Sequence, residues 1–290
     1  MTPILETRGL SLSYPGFDLQ DIDLRVDAGS IMGLIGPSGA GKTSIMRLVM
    51  GQVMAARGEL SVAGLTHPGD LKEIRGRVGY VPEDPPFSPD KRVADIIRFV
   101  APFYPQWESA RFNDLLGDFG IEPHLQVKHL SRGRRTLLSW AMALSHGATL
   151  LLLDEPAAGL DAARRRQVLK LMAEFVADGD CAAVISTHQT DGLAPLADRL
   201  AIIDHGRLVL SGETEELLAA WKWLRYRDGA VSDELESALL GHERGAFGNR
   251  GLVRDYPAIH NQLQAALAAG DVQVGNATID DILVSLTGGH

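Results

Sequence analysis

The sequence predicts an α/β fold in which a parallel β-sheet is covered by helices on both faces. Short apolar runs that indicate buried strands alternate along the chain with segments of helical periodicity, and this alternation is typical of parallel sheets. A glycine-rich loop follows one apolar run and opens a helix, as in phosphate-binding units. At 290 residues, the chain has room for one large domain and a small additional one.

The composition argues against some classes of function. Hydrophobic residues make up 45% of the chain and charged residues 22%, as in globular proteins that bury a core. The net charge of -9 argues against a nucleic-acid-binding protein, which usually presents a basic face. The single cysteine, Cys181, excludes an internal disulfide. The N-terminal residues lack the pattern of a secretory signal, so we expect a cytoplasmic location.

The first 81 residues predict strands with one intervening helix. Residues 19–26 alternate between apolar and polar side chains, the pattern of a half-buried strand. The apolar run at residues 31–35 ends in the glycine-rich turn, and we expect a helix over about residues 41–50. Residues 78–81 form another short apolar run and predict a further strand.

The middle of the chain predicts helices. Between residues 93 and 120, helical periodicity places four side chains on one apolar face: Phe112, Leu115, Leu116 and Phe119. Pro102 and Pro105 interrupt this stretch before Trp107. A second helix is expected over residues 131–145.

Buried strands and helices alternate again in the second half. Apolar runs at residues 150–153, 182–186 and 200–203 predict strands. The segments between them predict helices at residues 162–178 and 189–197. We expect a hairpin at residues 204–211, and the pattern loosens near residue 221. We therefore expect one domain over residues 1–220 and a small accessory domain over residues 221–290.

Residues 136–153 contain no charged side chain, but they are interrupted at 145–147 by Ser-His-Gly. A membrane-spanning helix needs about 20 predominantly apolar residues. A helix, a turn and a buried strand explain this stretch better than a transmembrane segment does, so we expect the chain to have no membrane span of its own.

The glycine-rich loop carries the most specific motif. Residues 36–43 match the phosphate-loop pattern G-x-x-x-x-G-K-[ST] in full, and a strand before it and a helix after it are the context that the motif requires. Backbone N–H groups of such a loop point at phosphate oxygens. Lys42 is expected to reach the β- and γ-phosphates of ATP, and Thr43 to ligate Mg²⁺. The candidate nucleotide-binding residues here are Gly36, Pro37, Ser38, Gly39, Ala40, Gly41, Lys42, Thr43 and Ser44.

Two further segments have the residue types that such a site needs. The apolar run at residues 150–153 is followed by Asp154 and Glu155. Asp154 is suited to Mg²⁺ and Glu155 to polarising the attacking water. Ser131 and Gly133 lie at the start of a predicted helix, where Ser131 is a good N-cap and free N–H groups offer a second anion site.

Together these motifs resemble the ABC-type ATPase subunits. The phosphate loop is followed in order by Leu-Ser-x-Gly at residues 130–133, Asp154-Glu155-Pro156, Ala-Gly-Leu-Asp at 158–161 and Ser-Thr-His at 186–188. The resemblance covers about residues 4–220. It implies a P-loop NTPase core with an N-terminal antiparallel β subdomain, a helical subdomain over about residues 85–145 and a small C-terminal accessory region.

The resemblance also implies roles for individual residues. Ser131 and Gly133 would contact the γ-phosphate held by the other subunit of a pair. Asp161 would lie at the subunit contact, and His188 would be the switch residue that contacts the γ-phosphate. Tyr14, before Pro-Gly at positions 15–16, would stack on adenine.

One position departs from the pattern of the family. Where these proteins usually have Gln after the strand at residues 78–81, this chain has Glu83. A carboxylate there can still ligate Mg²⁺ through oxygen. Glu at this position, the segment Phe-Tyr-Pro-Gln-Trp at 103–107 and the ending at 277–283 are similar to the ABC-2-type exporter branch.

The expected function is therefore an ATPase that drives export through an integral membrane permease encoded separately, on the cytoplasmic face of the membrane. One phosphate loop and one signature segment per chain imply a partner, either a second copy or a paralogous ATPase subunit. One alternative is a soluble ABC-type ATPase with a non-membrane partner such as a cluster-assembly complex. Another is a nucleotide-gated regulator without turnover, against which Glu155 and His188 argue.

Overall fold

The computed structural model describes residues 3–188, 190, 192–245 and 248–288. The first half of the chain contains β1 (Leu5–Tyr14), β2 (Phe17–Val26), β3 (Ile31–Ile35), α1 (Lys42–Val49), β4 (Arg57–Val62), β5 (Leu65–Thr66), α2 (Leu71–Arg77), β6 (Val78–Val81), α3 (Val93–Val100), α4 (Ser109–Phe119) and α5 (Arg132–Ala143).

The second half adds six strands and helices up to residue 220 and a further group near the C-terminus. Its elements are β7 (Leu150–Asp154), α6 (Ala162–Val176), β8 (Ala182–Thr187), β9 (Arg199–Asp204), β10 (Arg207–Glu213), α7 (Thr214–Ala220), β11 (Lys222–Tyr226), α8 (Asp233–Ala238), β12 (Leu240–Gly245), β13 (Gly248–Val253), α9 (Tyr256–Ala269), β14 (Val272–Asn276) and α10 (Ile279–Thr287).

The strands form three sheets. The N-terminal sheet has the order β2-β1-β4-β5, and its neighbouring strands are antiparallel. The central sheet has the order β10-β9-β3-β8-β7-β6 and is parallel except for β10. The C-terminal sheet has the order β12-β13-β11-β14. The predicted parallel sheet is thus confirmed.

Alternate residues of the central strands enter two different hydrophobic clusters. Met32 and Leu34 of β3 belong to the cluster shared with the N-terminal sheet. Ile31 and Ile35 belong to the cluster shared with the helices α4, α5 and α6. Because successive side chains of a strand point to opposite faces, the interior strands β3, β7 and β8, which are buried throughout, must be apolar on both sides. This requirement explains why their sequences are nearly continuous apolar runs, whereas β10 at the edge of the sheet alternates exposed and partly buried residues.

Most predicted elements of the middle region are confirmed. All four residues of the predicted apolar face, Phe112, Leu115, Leu116 and Phe119, are buried on α4. Residues 136–153, which carry no charge, form the end of α5, a turn and β7. No helix in the described ranges is both long and apolar enough to cross a membrane.

The helix predicted over residues 189–197 is wrong. Residues 192–196 form turns instead. Gly192 has a left-handed φ of 82°, which does not continue a right-handed helix, and Pro195 lacks an N–H for a helical hydrogen bond. Gln189 and Asp191 of the predicted helix lie outside the described residues.

The C-terminal sheet has its own small hydrophobic cluster, which includes Leu224, Tyr226 and Leu263. However, Trp221, Leu252 and Ile282 belong to the hydrophobic cluster that the central sheet shares with α4, α5 and α6, here called the helix-side cluster. The residues after 220 are therefore packed onto the main body through part of its core.

Candidate functional site

The glycine-rich loop connects the end of β3 to the start of α1, at the carboxyl edge of the parallel strands. Gly41 precedes α1 with a φ of 116°, a conformation that only glycine adopts without strain. A Cβ at this position would lie 2.9 Å from Cζ of Phe17. The chain can therefore turn tightly into the helix and direct its first N–H groups toward the open side of the loop.

Lys42 lies across this loop. Its side chain is buried, and its Nζ donates hydrogen bonds to the carbonyl oxygens of Gly36 at 2.7 Å and Pro37 at 3.0 Å. Burial lowers the pKa of the Lys42 ammonium, and the charges of Glu155, Asp154 and Glu83 act in the opposite direction. The ammonium is thus held by groups that a phosphate oxygen can replace.

Asp154 is fixed by two hydroxyl groups at the end of β7. Thr43 Oγ1 donates to Asp154 Oδ2 at 2.8 Å, and Ser186 Oγ donates to Asp154 Oδ1 at 2.5 Å. The Asp154 side chain is buried, so it needs these partners. Ser186 was not among the residues predicted for the site, although it belongs to the Ser-Thr-His segment.

The donor set of Thr43 and Asp154 is compatible with a nucleotide-bound Mg²⁺. Both residues offer oxygen atoms, and Mg²⁺ usually takes one or two carboxylates together with phosphate and water oxygens. The described part of the chain has no cluster of three or more His, Cys, Asp or Glu residues suited to holding a metal alone.

Glu155 and His188 form a tight pair beside Asp154. The backbone N–H of His188 donates to Glu155 Oε1 at 2.9 Å, and His188 Nδ1 lies 2.7 Å from the same oxygen. The Glu155 side chain is only 12% exposed, whereas that of His188 is 57% exposed. Glu155 has a φ of 47°, an uncommon conformation for a residue other than glycine. Such strain is concentrated at functional sites.

These residues surround one open cavity of about 390 Å³. It brings together candidates from four separate parts of the sequence and one unexpected aromatic residue. The cavity is lined by Phe17, Ser38, Gly39, Gly41, Lys42, Thr43, Ser44, Glu83, Asp154, Glu155 and His188.

The aromatic residue at the cavity is Phe17, not Tyr14. Tyr14 packs against the cluster under the N-terminal sheet and is not among the residues that line the cavity. Phe17 follows the Pro-Gly turn and begins β2. The sequence has one aromatic residue on each side of the Pro-Gly turn. The turn alone does not show which of the two lines the cavity. Adenine stacking by Tyr14 stays a prediction.

Glu83 lines the cavity and also has a cationic neighbour. Its carboxylate lies 3.5 Å from Arg132 Nη2, and both side chains are about half exposed. Arg132 is the first residue of α5. Glu83 therefore connects the cavity to the helix that carries the signature segment, and its proposed contact with Mg²⁺ stays a prediction.

The signature residues lie outside the cavity. Ser131 caps α5, because its Oγ accepts a hydrogen bond from Arg134 N at 3.2 Å. Gly133 lies against the following loop, where an added Cβ would be 2.7 Å from the carbonyl oxygen of Gly159. Asp161 caps α6 by accepting from the N–H groups of Ala163 and Arg164 at 3.0 and 2.9 Å. Ser131 and Asp161 are both exposed.

Known proteins with similar sequences include both exporters and importers. The family model described as ABC transporter matches residues 19–158. Nod factor export ATP-binding protein I of Cupriavidus pinatubonensis is 33% identical over 224 residues, which cover 75% of this chain and 69% of that protein. The Fe(3+) ions import ATP-binding protein FbpC of Pseudomonas fluorescens is 32% identical over 220 residues, covering 73% of this chain and 62% of that protein.

Solved structures show the same fold. The ATP binding subunit of an ABC transporter matches with a TM-score of 0.68 and 26% identity, covering 74% of this chain and 92% of the solved one.

Proposed function

The chain belongs to the family of ABC transporter ATP-binding proteins, and from this premise we propose that it powers export through a separate membrane permease. Binding and hydrolysis of ATP are properties of this family. The observation that supports hydrolysis most directly is the pair of Glu155 and His188, which lines the same cavity as Lys42 and Asp154.

We infer the following roles for the residues of the cavity. Lys42 exchanges its two loop carbonyl partners for phosphate oxygens of ATP. Glu155, oriented by two hydrogen bonds from His188, accepts a proton from the attacking water and aligns it with the γ-phosphate. Mg²⁺, held with Thr43 and Asp154, would offset charge on the phosphates. The exposed ring of His188 remains accessible to the γ-phosphate.

A second ATPase subunit is part of this proposal. Ser131 and Asp161 are exposed and do not line the cavity of their own chain, so their proposed contacts with nucleotide require another molecule. A two-fold pair would present the signature of each chain to the cavity of the other. We propose a second copy as the partner, with a paralogous subunit as the alternative.

Size-exclusion chromatography tests the pairing. A Glu155→Gln chain should bind ATP without consuming it, and its apparent mass should double when ATP and Mg²⁺ are added. Ser131→Arg introduced into the same chain is the matched control, because Ser131 is exposed and lies outside the cavity, and it should leave the chain monomeric. A Glu155→Gln chain that remains monomeric with ATP would exclude the homodimer and favour a paralogous partner.

The proposed docking surface for the permease is a groove next to Glu83. The groove has a volume of about 500 Å³ and includes the apolar and aromatic side chains of Met50, Tyr80, Tyr104 and Trp107. Beside it, Phe99 and Phe103 are 71% and 70% exposed and contact each other edge to face at 5.6 Å. Exposed aromatic residues of this kind are common at interaction surfaces. Docking there would hold the chain on the cytoplasmic face of the membrane.

Export is favoured by Glu83 and by the segments similar to ABC-2-type exporters. The neighbouring reading frame provides a simple test, because a permease of several membrane spans should be encoded there. Vesicles that contain both proteins should then move substrate away from the side where ATP is hydrolysed. A neighbour that encodes a soluble cluster-assembly protein, with no associated membrane protein, would contradict the transporter proposal.

We propose residues 1–220 as the ATPase domain, with its helical part at about residues 85–145, and residues 221–290 as an accessory region. Lys42 on α1, Asp154 on β7 and His188 directly after β8 all precede residue 220. The accessory region begins with β11 and its sheet.

A further inference from the structure

Two arginines face each other on the C-terminal sheet, far along the chain from the ATP motifs. Arg225 of β11 is the register partner of Arg250 on β13. Like charges directly opposite each other on antiparallel strands are destabilising. In the described residues, neither guanidinium forms an ion pair with a carboxylate. The pairing therefore needs an explanation.

The guanidinium of Arg250 lies against an aromatic ring, but its buried Nε lacks a hydrogen-bond partner among the described residues. Its guanidinium carbon lies 3.7 Å from the centre of the Trp223 ring, a cation–π contact. Its Nε is buried and has no hydrogen-bond partner among the described residues. A buried donor without a partner is costly, and an unseen ion is one of the usual reasons for finding one in a native protein.

An open cavity of about 410 Å³ lies over this pair. Besides the two arginines and Trp223, it is lined by two amides of β14, Gln273 and Asn276, and by one carboxylate, Asp281. Asn276 Oδ1 accepts a hydrogen bond from Lys222 Nζ at 2.9 Å, which leaves its NH₂ group to donate elsewhere. We call this cavity the arginine pocket.

The described acids around the pocket do not form an ion pair with either guanidinium. Burial disfavours the Asp281 anion, but hydrogen bonds from Thr278 and the charge of Arg250 lower its pKa overall. The same hydrogen bonds, at 2.8 and 2.7 Å, occupy one of its oxygens. Glu243 is the register partner of Arg250 on β12 and has no side-chain hydrogen bond or ion pair with it in the described structure.

We propose that the arginine pocket binds a small soluble phosphorylated compound. A phosphoryl group carries the charge that two facing guanidinium groups need, and each guanidinium can hold phosphate oxygens in a fork of two hydrogen bonds. The amides of Gln273 and Asn276 supply further polar contacts. The volume lies in the range of small-molecule sites and leaves space for an organic part beside the phosphoryl group.

Calorimetric titration of inorganic phosphate into the full-length chain tests this site at constant ionic strength. Lys42→Ala serves as the background, so that the phosphate loop contributes little. We expect one phosphate site, and Arg225→Gln should weaken it by roughly tenfold or more, as expected for a lost charge-assisted contact.

The matched control is Arg227→Gln, which removes the same charge from a nearby position where Arg227 pairs with Asp271 at 3.0 Å. It should leave phosphate affinity unchanged. Equal weakening of phosphate binding by Arg225→Gln and Arg227→Gln would show that phosphate is attracted by general positive charge, which would overturn the proposal. Absence of phosphate binding to the Lys42→Ala protein would also overturn it. Arg225 is exposed, so its substitution leaves the fold intact.

A separate contact connects the C-terminal region to the loop that follows His188. Thr190 lies two residues after His188, and its Oγ1 donates to Asp280 Oδ1 at 2.5 Å. Thr190 is buried, and Asp280 lies in the first turn of α10. That helix begins with a reciprocal capping box between Thr278 and Asp281, which fixes the position of its first turn.

We infer that Asp280 is a positioning residue for His188. The His188 end of this segment is bonded to Glu155 through both its backbone N–H and its ring. The Thr190 end is bonded to Asp280, 90 positions further along the chain. Loss of the second contact removes the side-chain hydrogen bond between Thr190 and α10, so the ring of His188 would spend less time in the position that orients Glu155.

Steady-state ATPase assays on the full-length chain separate positioning from general structural damage. Thr190→Val keeps the side-chain shape but removes the hydroxyl, and we expect kcat to fall by roughly tenfold with an unchanged KM for ATP. Thr190→Ser restores the hydroxyl and should restore kcat, and Asp280→Asn should lower kcat without changing KM. A Thr190→Val chain with normal kcat, or a Thr190→Ser chain as slow as Thr190→Val, would overturn the inference.

Discussion

Glu155 Oε1 accepts the backbone N–H of His188 at 2.9 Å and lies 2.7 Å from its ring Nδ1. The two contacts use the same carboxylate oxygen. In the described structure, the other oxygen, Oε2, lies 3.4 Å from Thr187 Oγ1. One oxygen therefore orients the carboxylate, and the other is available to a water molecule in the cavity.

Glu155→Gln should lower the rate of ATP hydrolysis by roughly 10²–10⁴-fold, the usual contribution of a positioned general base, because an amide does not accept the proton of the water. ATP affinity should remain close to that of the wild type. Phosphate release at saturating ATP measures the rate, and calorimetry measures the affinity. A variant that hydrolyses ATP at the normal rate would exclude Glu155 as the base.

Lys42→Ala should weaken ATP binding by about 100-fold, which corresponds to the upper range for a hydrogen bond to a charged group. The buried ammonium is the cation that the motif places on the loop, and its partners in the structure are carbonyl oxygens that phosphate can replace. Titration with a fluorescent ATP analogue measures the effect. Unchanged affinity would remove Lys42 from the phosphate site.

Glu83→Ala should raise the Mg²⁺ concentration needed for half-maximal ATPase activity, whereas Glu83→Gln should retain activity because its amide oxygen can still face the metal. The nearby ion pair requires a control. Arg132→Ala removes the 3.5 Å partner of Glu83 without removing an oxygen, and it should leave the Mg²⁺ dependence unchanged. If the ATPase rates of Glu83→Ala and the wild type depend on Mg²⁺ concentration in the same way, Glu83 has no role in binding the metal.

His146 should make stability depend on pH. Its ring is buried, lies against Tyr104 at 4.3 Å and contacts the carbonyl oxygens of Met142 and Val78. Burial lowers its pKa, although the two carbonyl contacts act in the opposite direction. The unfolded chain, with an ordinary histidine pKa of about 6.5, therefore takes up a proton before the folded chain does.

The stabilising effect of a neutral His146 is then complete above about pH 6.5 and is lost as pH falls through the lower folded-state pKa. Urea unfolding between pH 7.5 and 5 should show falling stability, and His146→Gln should have a shallower slope. His67, whose pKa is also lowered by burial, is present in both proteins and contributes equally. Identical slopes would contradict the assignment to His146.

The strands and the phosphate site were predictable from the sequence because their signals are local. The apolar runs at 78–81 and 150–153 correspond to β6 and β7 within one residue. Such runs are required where a strand is buried on both faces. The helix predicted at 189–197 is wrong because this segment contains Gly192, which has a left-handed φ, and Pro195, which lacks an N–H for a helical hydrogen bond.

Other parts of the site depend on contacts between distant segments. The partner of Thr190 is Asp280, and that of Glu83 is Arg132. Neither pair has a sequence motif of its own. The same is true of Phe17, whose place at the cavity depends on its packing against Gly41.

The helix-side core of the central sheet has a consequence for synthesis of the protein. Ile185 of β8 and Ile282 of α10 belong to the same buried cluster, but they are translated about 100 residues apart. At the usual rate of protein synthesis, the apolar surface that Ile282 covers stays open for roughly 5–20 s after β8 has been made. During that interval the nascent chain already contains every ATP motif but lacks part of its core, and exposed apolar surface of this kind favours aggregation and chaperone binding.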